Sequence, residues 1–130
     1  MTKIIAVALG GAIGSVGRHL TSLAVERYSR SNFPFETFTA NLLGCFLIGL
    51  LWGYFEKLSI SNEFRLFLFT GLVGGFTTFS TFARENIQLF KTGQYMHAMI
   101  YVILSNLFGL LLVALGFYIS NHFLRHVKLF

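Results

Sequence analysis

The chain has 130 residues, of which 55% are hydrophobic, 17% aromatic and only 12% charged, with a net charge of +5 and a mean hydropathy of +0.68. Soluble domains carry roughly 25% charged residues, so half that share, with apolar runs of spanning length, excludes an ordinary water-soluble fold and leaves one membrane domain over residues 1–130. The positive balance does not signal nucleic acid: no basic stripe with interleaved aromatics is present, and Lys3, Arg27, Arg30, Lys57, Arg65, Lys91, Arg125 and Lys128 stand at the ends of apolar runs, where anionic lipid headgroups are the fitting partner.

The first span reads from Ile4 to Leu23 and is rich in Gly and Ala, with Arg18 inside it. A cleavable signal peptide is the rival reading, since Lys3 precedes an apolar stretch. The series Gly10, Gly11, Gly14, Gly17 and the charge of Arg18 fit a packed helix better. The second span, Phe38 to Phe55, is free of charge from Thr37 and ends at Glu56-Lys57; it holds Cys45, the single cysteine, which reads as a small packing residue and rules out an intrachain disulfide. The third runs from Leu66 to Ala83 and continues through Arg84-Glu85 to Phe90. The fourth lies between Lys91 and Arg125, with its apolar core from Ala98 to Ile119. At about 1.5 Å per residue each is long enough to cross roughly 30 Å of hydrocarbon. The expected architecture is an all-α membrane protein with four transmembrane helices, joined by short polar connections at Glu26 to Glu36 (with Pro34, the only proline), Glu56 to Arg65, and Lys91 to Gln94.

The third span departs from simple anchoring. Gly71-Leu72-Val73-Gly74-Gly75-Phe76-Thr77-Thr78-Phe79-Ser80-Thr81-Phe82 places three glycines and four hydroxyls in a stretch without charge. In hydrocarbon every backbone N–H and C=O needs a partner, so such an interruption is tolerated only where it is buried in protein or lines a wet cavity. The segment reads as a broken helix at a functional site. The spacings Gly10-xxx-Gly14, Gly49-xxx-Gly53 and Gly71-xxx-Gly75 signal close helix packing, because membrane helices associate through small residues that let backbones approach. Transport folds commonly place their site between two inverted halves. This chain has no internal repeat and is one half in size, so a homodimer would supply the other. Counting Lys and Arg, Lys3, Lys57, Arg65, Arg125 and Lys128 give five on the side of the termini, and Arg27, Arg30 and Lys91 give three opposite. That bias is weak enough for insertion in both orientations.

Three stretches resemble the Fluc-type fluoride channels of bacteria, the CrcB family: Gly74-Gly75-Phe76-Thr77-Thr78-Phe79-Ser80-Thr81-Phe82, Thr39-Ala40-Asn41-Leu42-Leu43-Gly44, and Gly10-Gly11-Ala12-Ile13-Gly14-Ser15-Val16-Gly17-Arg18. The resemblance covers essentially the whole chain in length, span count and motif order. It implies a fluoride-selective, passive channel in the bacterial inner membrane that lets the ion leave the cytoplasm. It also implies an antiparallel, dual-topology homodimer with two pores, and a structural Na+ at the dimer centre held by the backbone carbonyls of Gly74 and Thr77 of each subunit. Unwound carbonyls inside a membrane protein need donors or a cation, and an oxygen cage suits a hard ion; the alternative is that Gly74 only permits a tight helix crossing.

Fluoride is small and strongly hydrated, so a pore must replace water with donors while avoiding a fixed positive charge that would hold the ion. The resemblance makes Phe79 and Phe82, three apart on one helix face, an aromatic box whose electropositive ring edges face the anion. With 16 phenylalanines in the chain, most must simply pack. Asn41 would donate from the second span, with Thr37 one turn earlier; an interhelical hydrogen bond is the other use of a buried amide. Ser80 and Thr81 lie between the two phenylalanines and either line the pore or bond back to their own helix. Tyr101 and Ser105 share a face of the fourth span at positions polar in the family, whereas Phe108-Gly109 stands where the family often has Gly-Ser.

Arg18 corresponds to the family's helix-one arginine, an electropositive vestibule for anions; snorkelling to headgroups is the competing role. Glu85 also corresponds to a family position, or forms an Arg84-Glu85 pair at the membrane edge. His19, His97, His122 and His126 lie toward helix ends and read as interfacial, without metal-ligand spacing. A proton-coupled exporter would need an embedded carboxylate in the first span, and none precedes Glu26. An intramembrane enzyme would need a nucleophile with a base, and Ser80 has no nearby His or Lys in the sequence. A purely structural subunit would leave the Thr/Ser/Phe motif unexplained.

Overall fold

The computed structural model describes residues 1–127, so Lys128 of the charge count lies outside the described residues. All regular structure among them is helical: α1 (Thr2–Tyr28), α2 (Phe35–Phe55), α3 (Asn62–Arg65), a wide π-helical segment (Leu66–Val73), α4 (Gly74–Phe76), α5 (Phe79–Lys91) and α6 (Tyr95–Val127). Taken together they give four helices long and apolar enough to cross a membrane, Thr2–Tyr28, Phe35–Phe55, Asn62–Lys91 and Tyr95–His126. The 21 residues of α2 alone make about 31 Å at 1.5 Å per residue.

The helices run past the apolar stretches at both ends. Thr2, Glu26 and Tyr95 are helical although polar or amphipathic, because nothing in those turns breaks the backbone ladder and the interfacial zone accepts their side chains. Pro34 caps α2, where its missing N–H costs nothing, and its carbonyl receives the Phe38 N–H at 3.1 Å. Ser61 caps α3 by accepting the Phe64 N–H at 3.2 Å. The turn after α5 closes with Gln94 N–H to Leu89 C=O at 2.8 Å and Gly93 N–H to Phe90 C=O at 3.1 Å. That pair of bonds requires the left-handed backbone of Gly93, φ 77°.

Glycine decides which spans pair. A Cβ on Gly71 would lie 2.9 Å from Gly10 Cα, and one on Gly14 would lie 2.9 Å from the Phe76 backbone nitrogen, so α1 and the third span touch backbone to backbone. Likewise a Cβ on Gly116 would meet the Leu50 nitrogen at 2.9 Å, and one on Gly53 would meet the Phe117 carbonyl at 2.7 Å. Residue numbers rise together across both contacts, so span one runs parallel to span three and span two parallel to span four. Dispersion between such close backbones replaces the hydrophobic drive that lipid removes.

Little of the apolar surface is used up inside one chain. Ala40, Val73, Leu89, Ala98 and Tyr101 are its buried hydrophobics, and no more than 22% of any spanning window is buried. Water would penalise that exterior and hydrocarbon does not. The fold is that of a multi-pass membrane protein.

Candidate functional site

The third span changes direction at Thr77 and Thr78, which are extended (φ −91°, ψ 159° and φ −150°, ψ 118°), while Gly74 and Gly75 remain helical in α4. The interruption therefore begins two residues beyond the Gly-Gly pair. Two residues pin it. Asn41, on α2, accepts the Thr78 N–H on Oδ1 at 2.8 Å and donates from Nδ2 to the Thr78 carbonyl at 3.0 Å, satisfying both backbone groups of the same residue. Thr78 in turn caps α5: its Oγ1 accepts the Thr81 N–H at 3.3 Å and donates to Thr81 Oγ1 at 3.1 Å.

This rerouting frees two carbonyls. In an unbroken helix the Thr78 N–H would point at the Gly74 carbonyl and the Thr81 N–H at that of Thr77. Here both donors are engaged elsewhere, with Asn41 and Thr78. Gly74 is exposed, and a Cβ on it would meet within the chain only the Phe69 carbonyl, at 3.5 Å. The Gly74 carbonyl thus loses its helical donor at an exposed position of the span, and that of half-buried Thr77 loses its own three residues on. The observation fits the donor set expected for a hard cation.

Two cavities meet at the break. One, of about 350 Å³, is lined by Asn41, Thr77, Thr78, Phe79, Phe82 and Ser105, with Cys45 and Asn106 beside them. The other, of about 340 Å³, is lined by Arg18, Glu36, Thr37, Thr78, Thr81 and Glu85, with Ser15 and His19 at its side. Thr78 belongs to both. The first is walled chiefly by carbon with a few uncharged donors, and the second is lined by polar and charged groups.

The aromatic pair of the motif does not sit as one block. Phe79 and Phe82 have ring centroids 5.8 Å apart at 40°, but Phe79 is 80% exposed, whereas Phe82 presses its ring against fully buried Tyr101 at 4.8 Å and 72°. Phe33 and Phe38 complete an edge-to-face cluster around Tyr101. The Tyr101 hydroxyl donates to Glu85 Oε2 at 3.5 Å, and the Thr37 hydroxyl donates to Glu85 Oε1. Glu85 thus takes its hydrogen bonds from α2 and α6 in the interior. Sequence neighbours suggested Arg84 as its partner because a partner 48 residues away leaves no local trace.

The residues singled out from sequence fall into two groups. Asn41, Thr77, Phe79, Phe82 and Ser105 share the first cavity; Arg18, Thr37 and Thr81 share the second, and Tyr101 reaches toward it through Glu85. Ser80 and Gly74 are exposed on the outer face of the third span. Asn106, Cys45 and Thr78 were not foreseen as lining residues. Thr78 carried a signal, being the hydroxyl three positions before Thr81 at the foot of a helix, the usual spacing of a cap.

The family described as CrcB-like protein, Camphor Resistance (CrcB), matches residues 5–117, from the first span into the fourth. The chain belongs to the CrcB family. It is 57% identical over 121 residues to a fluoride-specific ion channel FluC of Desulfotalea psychrophila, covering 93% of this chain and 94% of that protein. It is 46% identical over 122 residues to the FluC of Flavobacterium psychrophilum, covering 93% and 98%. To the FluC of Phocaeicola vulgatus it is 44% identical over 121 residues, covering 93% and 100%. In this CrcB-family chain the stretch of highest motif content, Gly74 to Phe82, is also the stretch where the third span leaves helical geometry.

Proposed function

We propose that this chain is a fluoride-selective channel, not an enzyme, through which fluoride leaves the cytoplasm passively and intracellular fluoride toxicity is lowered. The observation that carries the reading is the interrupted third span, where a phenyl-walled cavity and a polar cavity share Thr78. Fluoride must exchange water for donors one by one. The hydroxyls of Thr81 and Ser105 supply neutral donors, and Phe82 and Phe79 offer ring edges, so the phenyl-walled cavity holds no fixed cation to trap the ion. Asn41 holds this wall in place; both ends of its amide are committed to Thr78. Arg18, half-buried at the polar cavity, raises the local anion concentration at its mouth.

The working unit is an antiparallel homodimer of dual topology in the bacterial inner membrane, its two-fold centre at Gly74 and Thr77. Exposed Phe79 and Gly74 belong to that contact, since a single chain leaves both uncovered. The freed carbonyls of Gly74 and Thr77, doubled by symmetry, are the residues that would hold Na+, which when bound neutralises carbonyls otherwise left facing one another. Fluoride efflux from liposomes carrying the purified protein, with chloride as control, is the test. Release of fluoride without chloride is expected, and equal passage of both ions would overturn the selectivity.

A further inference from the structure

The last described turns of α6 carry His122 and His126. Four residues apart, they stand on one helix face. Their Nε2 atoms lie 3.1 Å apart, with ring centroids at 4.6 Å and planes at 80°. Imidazole ligands at about 2.0–2.1 Å from a metal are separated by about 2.9 Å at a right angle and about 3.4 Å at the tetrahedral angle. The observed spacing, that of a hydrogen bond between the two rings, falls between these two values, so an ion replacing the shared proton would find both nitrogens at chelating distance. His122 is further held by Tyr118, whose ring stacks on it at 6.0 Å and 7°. Both histidines are exposed, so water can complete the shell. Arg125, in the same turn, opposes a cation and keeps the affinity moderate.

We propose that His122 and His126 form a two-histidine site for a first-row transition-metal ion of the Ni2+, Cu2+ or Zn2+ class. No group of three His, Cys, Asp or Glu among the described residues could cage a metal, so the site is this pair plus solvent. It lies 17 residues beyond Ser105, about 25 Å along the helix. It is therefore separate from the cavities at the break, and a bound ion clips the final turns of α6 together.

The test uses untagged, full-length protein in detergent, titrated with Ni2+ by calorimetry and with Cu2+ by electron paramagnetic resonance. One ion per chain is expected. His122→Ala and His126→Ala should each weaken binding at least about tenfold, the loss typical even of an outer-sphere partner, and reduce the nitrogen couplings on Cu2+ from two to one. His97→Ala, on the first turn of α6, should bind as the native chain does. All three positions are exposed, so folding is not at issue, and elution volume verifies it. Unchanged affinity in either His122 or His126 variant, or an equal loss in His97→Ala, would overturn the site.

Discussion

Replacing Asn41 by Ala tests the clamp on the third span directly. The amide makes two bonds to one backbone, at 2.8 and 3.0 Å, and both are lost when it is cut back to a methyl. An orphaned buried polar group costs about 1–3 kcal/mol, so the two together give about 2–6 kcal/mol. The adjoining cavity of about 350 Å³ decides where in that range the value falls. A water needs roughly 30 Å³, so solvent entering from the cavity can reach Thr78 and pull the cost toward the lower limit. A loss of about 2 kcal/mol is therefore expected, read as a lower apparent melting temperature by size-exclusion of detergent-solubilised protein after heating. Fluoride efflux per intact molecule should fall as well, because Thr78 lines both cavities. Thr70→Ala, exposed on the same span, should stay within about 0.5 kcal/mol of native. If Asn41→Ala melted with the native chain, Asn41 would not be holding the break and the wall argument would fail.

Phe79→Ile and Phe82→Ile should extract as intact dimers and lose most of their efflux, while Phe67→Ile and Phe117→Ile conduct nearly normally; equal flux per dimer for all four would make the motif rings packing residues only. Asn41→Asp should be inactive in the same assay, since an ionised carboxylate keeps the acceptor for Thr78 and removes the donor. Gly14→Val should prevent folding, because its side chain would enter the backbone of Leu72 and Phe76, whereas Gly74→Val meets no more than an ordinary contact with the Phe69 carbonyl within one chain and should yield folded protein that fails to dimerise; normal dimers from Gly74→Val, seen by crosslinking, would move the interface elsewhere. A single cysteine probe at the C-terminus, in a Cys45→Ala background, should be labelled from both sides of sealed vesicles; labelling from one side alone would exclude dual topology.

The four spans were legible because hydrocarbon imposes a length, and Leu66 to Ala83 or Ala98 to Ile119 meets it without charge. The neighbourhood of the interruption was legible because Gly and Thr are conspicuous among apolar residues. Its placement at Thr77 and Thr78 was not, since that depends on Asn41, 37 residues away, offering a substitute for the helical ladder. The wide turns of Leu66–Val73 left no mark in sequence either, as a uniformly apolar run has no period to read. Glu85 shows the same limit: its neighbour Arg84 suggested a surface pair, and tertiary packing gave it Thr37 and Tyr101 instead. Asn86, nearly buried with its Nδ2 on the Phe82 carbonyl at 2.9 Å and its Oδ1 unpartnered among the described residues, could not have been distinguished from an exposed amide.

The pairing of span one with span three, and of span two with span four, has a bearing on how the chain is made. A ribosome delivers spans in order, and the backbone partner of Gly10 and Gly14 is not synthesised until Gly71 to Phe76, while that of Gly49 and Gly53 waits for Val113 to Ser120. After two spans have entered the bilayer, neither has its glycine face covered. The face of span one waits against lipid or the insertion machinery until span three arrives, and that of span two waits longer, until span four is made. A nascent chain arrested after the second loop would accordingly hold two helices that touch each other but lack both of their glycine-lined partners.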